Sequence, residues 1–237
     1  MSNPTGSDLV EDMFGLNLRG LKTIWDTFVR PADVFAAARL PDWGGQYTPS
    51  IRLVFSLGAV LGFFSFFWAG ENSYFFQSFA EGLRIGAEAR DGDADGADQL
   101  ATEILSIYSV LLPFSYIVGN GIIGLLFRVW GRGTSAVVRL RLHMIAVTPS
   151  IVFSLISTLV LTKQSEDIAT FSTWASALIA LLLSFVTSYR GGVVAQTGRG
   201  RVGKAFLFSL ASLIASALAG MLAFLGPVIY LGFAAQS

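Results

Sequence analysis

The segment from Arg128 to Pro149 decides the fold, and it reads R-V-W-G-R-G-T-S-A-V-V-R-L-R-L-H-M-I-A-V-T-P. It contains four arginines and no acidic residue, and it continues into an apolar run. Another apolar run precedes it. Cytoplasmic loops of membrane proteins carry an excess of Lys and Arg. The segment therefore predicts a short basic loop that joins two membrane spans on the cytoplasmic side.

The composition of the whole chain also indicates a membrane protein. Of its 237 residues 53% are hydrophobic and only 14% are charged, whereas soluble domains carry roughly 25% charged residues. The chain has no Cys, which excludes disulfides, thiolate metal sites and cysteine nucleophiles. Its formal net charge is zero. We therefore expect no nucleic-acid partner, since such a partner requires a concentrated basic surface.

Five uncharged runs are about as long as the roughly 20 residues that a helix needs to cross a bilayer. The sequence thus predicts an all-α fold, a polytopic bundle of five transmembrane helices formed by residues 51–237. Residues 1–50 would form a cytoplasmic N-terminal region, and residues 71–103 an acidic outer loop. The five predicted spans are residues 53–70, 104–127, 142–162, 168–189 and 205–226.

The distribution of basic residues predicts the orientation of these spans. Thirteen Lys and Arg residues precede the first span or lie in the second and fourth connections, and only three lie in the first and third connections. By the positive-inside rule the N-terminus is then cytoplasmic and the C-terminus lies outside. The first residues contain neither a basic stretch nor an apolar core, so we expect no cleavable signal peptide.

The segment Leu18–Arg30 has the periodicity of an amphipathic helix. We interpret it as a helix in the cytoplasmic membrane interface, where apolar residues enter the lipid and cations remain at the headgroups. The alternative is packing against the ends of the spans, and the two interpretations are compatible. One face carries Leu18, Leu21, Trp25 and Phe28, and another carries Arg19, Lys22, Asp26 and Arg30.

Two charged segments suggest ligands. Asp91, Asp93 and Asp95 begin a D-x-D-x-D-G pattern, in which alternate carboxylates converge on calcium. Thr102 stands where the bidentate Glu belongs, so the alternative is a solvated acidic loop without a cofactor. The basic turn at residues 198–205 reads G-R-G-R-V-G-K-A. It precedes a span, and we interpret it as a contact for anionic lipid headgroups.

Small and hydroxyl residues recur at helical spacing within the predicted spans. In lipid such faces let helices approach closely and form hydrogen bonds with each other. They either hold the bundle together or bind a partner, which is another membrane protein or a second copy of the chain. The pair Gly58–Gly62 is the first candidate for a partner face, and the last span offers a second, with Ser212, Ser216 and Gly220.

The predicted spans contain no Asp, Glu, Lys or Arg, whereas ion-coupled transporters and pumps keep ionisable residues at depth. The only His, His143, lies near the start of a span, and we interpret it as an interfacial residue without a catalytic role. We therefore do not expect an enzyme. An alternative function is a passive transporter, channel or lipid-handling protein, which would use a polar seam between kinked helices at Asn120, Pro113 and Pro149.

Four motifs give the chain a resemblance to the Yip family of five-span membrane proteins. They are V-R-P-A-D-V-F at residues 29–35, G-x-G-T-S at 131–135, L-R-L-H-M-I-A-V-T-P at 140–149 and G-K-A at 203–205. The resemblance implies a non-enzymatic membrane organiser or adaptor with a cytoplasmic N-terminus. The absence of a signal peptide and the composition rich in Ala, Gly and Arg fit a bacterial inner membrane. We therefore expect an accessory or scaffolding subunit that binds a membrane partner there.

Overall fold

The computed structural model describes residues 18–67, 74–88, 96–161 and 166–234, and within these ranges the regular structure is helical. A short 3-10 turn at Trp43–Gly45 lies between the second and third helices. The eight described α-helices are α1 Leu18–Val29, α2 Pro31–Ala37, α3 Ser50–Phe67, α4 Tyr74–Glu88, α5 Ala97–Leu126, α6 Ala136–Leu161, α7 Glu166–Gly191 and α8 Gly198–Ala234.

Four described helices, α5 to α8, are long and apolar enough to cross a membrane. The longest, α8, has 37 residues and measures about 55 Å at about 1.5 Å per residue. The apolar helix α3 is shorter in its described part, and residues 68–73 lie outside the described ranges. The all-helical fold is therefore confirmed, and the fifth span stays a prediction.

The long helices form a closed arrangement around two apolar cores. Helix α3 packs on α5 and α6, α6 packs on α7, α7 packs on α8, and α8 returns to α5. The N-terminal helices α1 and α2 pack on α6 and α7. One core lies beneath α2 and includes Phe35, Trp130 and Phe208, and the other joins α3 to α6 through Leu53 and Met144.

The contact between α3 and α5 depends on two glycines. Pro113 lies inside α5, where its ring removes the hydrogen bond that the Ser109 carbonyl would otherwise accept. A Cβ atom on Gly62 would lie only 2.6 Å from that carbonyl oxygen, and one on Gly58 would lie 3.2 Å from Cβ of Pro113. The G-x-x-x-G face of α3 therefore accommodates the proline kink of its own chain.

We predict that Gly62→Ala destabilises the bundle by about 1–3 kcal/mol, because the added Cβ forces apart two backbones that are already in contact. The matched control is Gly220→Ala on α8, where nothing lies within 4 Å of the added atom. That control gains up to about 1 kcal/mol of helix propensity. The unfolding midpoint of detergent-purified protein measures both effects, and equal midpoints for the two variants would contradict the packing argument.

Candidate functional site

Helix α1 is attached to the bundle by hydroxyl and glycine residues on one face. Gly20, Thr23 and Thr27 are buried, and their small size lets the helix approach α2 and α6 closely. The Thr23 hydroxyl donates to the Arg19 carbonyl at 2.6 Å and accepts the Thr48 amide hydrogen at 2.9 Å. The second bond joins α1 to the segment that leads into α3. We call residues 18–48 the N-terminal layer.

The apolar face of α1 points away from the bundle. Four large apolar side chains along it are exposed, whereas the buried face is small and polar. This is the reverse of a surface helix in a soluble protein, which turns its apolar side chains toward the core. We call this face the apolar stripe. The exposed fractions are Leu18 80%, Leu21 57%, Trp25 67% and Phe28 36%.

Two arginines from the long helices bind backbone carbonyls of the N-terminal layer, at the end of α1 and in the segment after α2. Arg190, in the last turn of α7, donates to the carbonyls of Phe28 and Val29 at 3.4 and 2.9 Å. A cation at a helix C-terminus satisfies carbonyls that have no intrahelical partner and interacts favourably with the helix dipole. Arg141, near the start of α6, donates to the carbonyls of Leu40 and Pro41 in the same way.

Three further cations at this end of the bundle also bind carbonyls. Arg39 donates to Trp130, Arg201 to Tyr189 and Lys204 to Val194. Binding to a neutral carbonyl leaves the positive charge uncancelled, unlike an ion pair with a carboxylate. This end of the described chain therefore keeps most of its positive charge while its loops are held in place.

A groove of about 690 Å³ opens between α1, α2 and the turn that follows. We call it the N-terminal groove. Asp26 on its wall pairs with Lys22 at 3.4 Å and accepts a hydrogen bond from the Tyr47 hydroxyl at 3.0 Å. Lys22 also lies over the Tyr47 ring, 4.2 Å from its centre. Burial and the bond to Asp26 raise the pKa of Tyr47 to about 12, so its hydroxyl stays protonated.

The turn that closes the groove is conformationally strained. Trp43, Gly44 and Gly45 have φ angles of 59°, 62° and 65°, and a non-glycine residue in this left-handed region costs about 1–3 kcal/mol. Surrounding contacts hold Trp43 in place, because its side chain is 2% exposed and the guanidinium of Arg141 lies 5.6 Å from its ring centre. Arg141 therefore fixes both the chain entering the turn and the aromatic side chain within it.

A second polar feature is buried between α5, α6 and α8. The Asn120 amide nitrogen donates to the Tyr116 carbonyl at 3.1 Å and to the Ser216 hydroxyl at 3.2 Å. Ser216 in turn donates to the Ser212 carbonyl. The Asn120 oxygen must then accept, so Nε2 of His143, 3.1 Å away, carries the hydrogen. Nδ1 of His143 has no partner in the described part of the chain.

The position of His143 differs from the interfacial exposure that we infer from sequence. Its side chain is fully buried, with its ring centre 4.9 Å from that of Phe208. The absence of a side chain at Gly124 makes room for it, since a Cβ there would lie 2.9 Å from Cβ of His143. Asn120, which the predicted polar seam includes, is likewise fully buried and hydrogen-bonded within the bundle.

The structure places the other site residues as follows. Gly58 and Gly62 face α5 of the same chain. Ser212 is buried and donates to the Phe208 carbonyl, Ser216 joins α8 to α5, and Gly220 faces open space. In the N-terminal layer Lys22 and Trp25 line the groove together with Arg30, whereas Arg19 is exposed outside it. Asp91, Asp93 and Asp95 lie outside the described residues.

Sequence reasoning did not identify the groove or the residues that shape it. The sequence presents Arg141 and Arg190 only as loop charges and Asp33 only as part of the motif at residues 29–35, and no sequence pattern distinguishes Tyr47. The position of Arg190 in the last turn of α7 is a local signal, since cations near a helix C-terminus commonly bind free carbonyls. The carbonyls that Arg190 binds lie at the end of α1, about 160 residues away in the chain. No local sequence pattern indicates that these two segments meet.

No known protein-family model matches the chain, and no curated protein and no solved structure matches it. The resemblance to the Yip family stays a prediction that rests on the four motifs.

We predict that Arg190→Met loosens α1 by removing both hydrogen bonds to its last carbonyls. Hydrogen bonds to charged groups contribute about 1.5–3 kcal/mol, and solvent exposure of the site reduces this, so we expect roughly tenfold faster amide exchange in residues 18–29. The control is Arg199→Met, an exposed arginine whose side chain has no partner in the described ranges. Unchanged exchange in α1 would show that Arg190 does not hold it.

We predict that Asn120 and His143 are energetically coupled. A double-mutant cycle of Asn120→Leu and His143→Phe should give a coupling between about 0.6 kcal/mol, the average for hydrogen bonds between membrane helices, and about 1.7 kcal/mol, the maximum. Unfolding of the four proteins in mixed detergent micelles measures this value. Additive effects of the two substitutions would mean that the bond contributes nothing to stability.

Proposed function

We propose that the chain is a non-enzymatic, multi-pass protein of a bacterial inner membrane, where it acts as an accessory, scaffolding or membrane-organising subunit. Helices α5 to α8 cross the bilayer, and α3 with the residues after it supplies a fifth span. The N-terminus is cytoplasmic and the C-terminus periplasmic. The N-terminal layer then lies at the cytoplasmic surface of the membrane, together with most of the basic residues.

The observation that carries this proposal is the outward-facing apolar stripe on a rigidly attached helix. Exposed apolar side chains contiguous along one helix face are unfavourable in water and mark a surface that contacts lipid or another protein. The buried face of α1, with Thr23 and Thr27, prevents the helix from turning these side chains inward. The stripe enters the cytoplasmic leaflet and there meets the transmembrane or interfacial segment of a partner protein.

The partner surface is the apolar stripe and not the glycine pair of α3. Gly58 and Gly62 are occupied by α5 within the chain, so a second protein has no access to that face. The retained positive charge at the same end of the bundle adds attraction to anionic lipid headgroups, worth about 1 kcal/mol for each cation near the surface. The stripe and the charge act together in holding the N-terminal layer on the membrane.

Cysteine labelling tests the orientation, because the native chain has no Cys. We expect a membrane-impermeant maleimide to label Asp98→Cys in spheroplasts, and to label Arg132→Cys only after the membrane is opened. Both residues are exposed, so a difference between them reports the side of the membrane. Labelling of position 132 alone in closed spheroplasts would reverse the proposed orientation.

Site-specific photo-crosslinking in cells tests the partner surface. A photoreactive residue at Leu21 should give a discrete protein adduct, whereas the same residue at Leu207 on α8 should give only lipid adducts. The two leucines have similar exposed fractions, 57% and 60%, so accessibility does not distinguish them. Lipid adducts alone at both positions, with the protein purifying by itself in mild detergent, would contradict a partner-binding role.

A further inference from the structure

Two opposite charges in the N-terminal groove have no partner. Arg30 and Asp33 both line the groove, yet neither side chain forms a hydrogen bond or ion pair anywhere in the described ranges. The other charged pair of the groove, Lys22 and Asp26, is already joined. The groove therefore contains one cation and one carboxylate that are not paired with each other or with another described residue.

A ligand that binds both of these groups must be a zwitterion, with a negative group for Arg30 and a positive group for Asp33. A guanidinium binds a phosphate through two parallel hydrogen bonds, and a carboxylate accepts hydrogen bonds from a primary ammonium group. A singly charged anion would bind Arg30, but the negative charge of Asp33 would repel it. A ligand with both charges on a short linker matches both groups at once.

The position of the groove indicates where such a ligand comes from. Trp25 belongs both to the groove and to the apolar stripe, and it is 67% exposed. Val29, also exposed, stands at the same border. A molecule whose polar part lies in the groove therefore has its remainder against the stripe, at the depth where tryptophan is enriched in membranes.

The groove also has the properties of a preformed site. Its volume lies within the range of about 300–1,000 Å³ typical of small-ligand sites. Tyr47 and Lys22 fix one wall through Asp26, and the strained turn at Trp43 fixes the other end with the help of Arg141. Left-handed non-glycine residues cluster at ligand-binding positions, so the strain at Trp43 supports the assignment independently of the charges.

We propose that the N-terminal groove binds the headgroup of a phospholipid that carries a phosphate and a primary amine. Arg30 binds the phosphate, Asp33 accepts hydrogen bonds from the ammonium group, and Trp25 packs against the glycerol region. This inference rests on the proposed placement of the N-terminal layer at the membrane surface. The groove would then bind one specific lipid headgroup, whereas the basic residues around it attract any anionic headgroup.

Native mass spectrometry of the full chain released from detergent micelles tests the proposal. Phosphatidylethanolamine, phosphatidylcholine and phosphatidylglycerol are added at equal concentration. We expect phosphatidylethanolamine to bind about tenfold more tightly than the other two, which corresponds to one additional charged hydrogen bond. Phosphatidylcholine has no N–H to donate to Asp33, and phosphatidylglycerol has no cation.

Two variants and two controls assign the contacts. Arg30→Gln should weaken phosphatidylethanolamine about tenfold, and Asp33→Asn should remove the preference for it over phosphatidylglycerol. Arg19→Gln on the same helix and Asp98→Asn at the start of α5 lie outside the groove and should change neither value. Both groove residues are exposed, and an unchanged unfolding midpoint in each variant verifies that the fold is intact.

Three results would overturn the proposal: equal binding of the three lipids, equal loss in Arg19→Gln and Arg30→Gln, or displacement of the lipid by free phosphoethanolamine at the same concentration. The last result would assign the groove to a soluble phosphate compound. None of them affects the proposed function, which fails separately if the chain does not require detergent for extraction from membranes.

Discussion

Carbonyl groups without a helical partner lie at several contacts between distant segments of this structure. In an apolar environment an unsatisfied backbone group costs several kcal/mol, and this chain produces such groups at helix ends and at prolines. The carbonyl that Pro113 leaves free in α5, that of Ser109, occupies space that a side chain at position 62 would need, so α3 has a glycine there. The last carbonyls of α1 receive two hydrogen bonds from Arg190. Both solutions bring together segments that are distant in the chain.

The use of arginine at helix ends connects the fold to the proposed function. A guanidinium has five N–H donors and no acceptor, so it satisfies carbonyls from two residues and still carries its charge. Arg141 does this for the segment after α2, and Arg190 does it for α1. As a result the N-terminal layer is held in one orientation, with the apolar stripe outward and the groove beside it, and the cations that hold it keep their charge.

The long helices follow closely from the sequence, but their ends do not. The sequence predicts a span at residues 104–127, whereas the helix begins seven residues earlier at Ala97. The span at 205–226 likewise belongs to a helix that begins at Gly198 and continues past Pro227. An apolar run ends where charges begin, whereas a helix continues as long as its backbone hydrogen bonds are made. Hydropathy therefore locates the end of an apolar run but not the end of a helix.

Local composition and charge determined that this protein is helical, that it has several helices apolar enough to span a membrane, and where its cations concentrate, because each depends on residues adjacent in the chain. Only the tertiary structure decided that the glycine pair of α3 faces α5, that His143 is buried against Asn120, and that Arg30 and Asp33 line one groove. Each of these contacts joins segments that are distant in the chain. Each depends on how a helix is rotated about its axis and shifted along that axis relative to its neighbours. A helical sequence pattern specifies which residues share a face, but it does not specify which other face lies opposite.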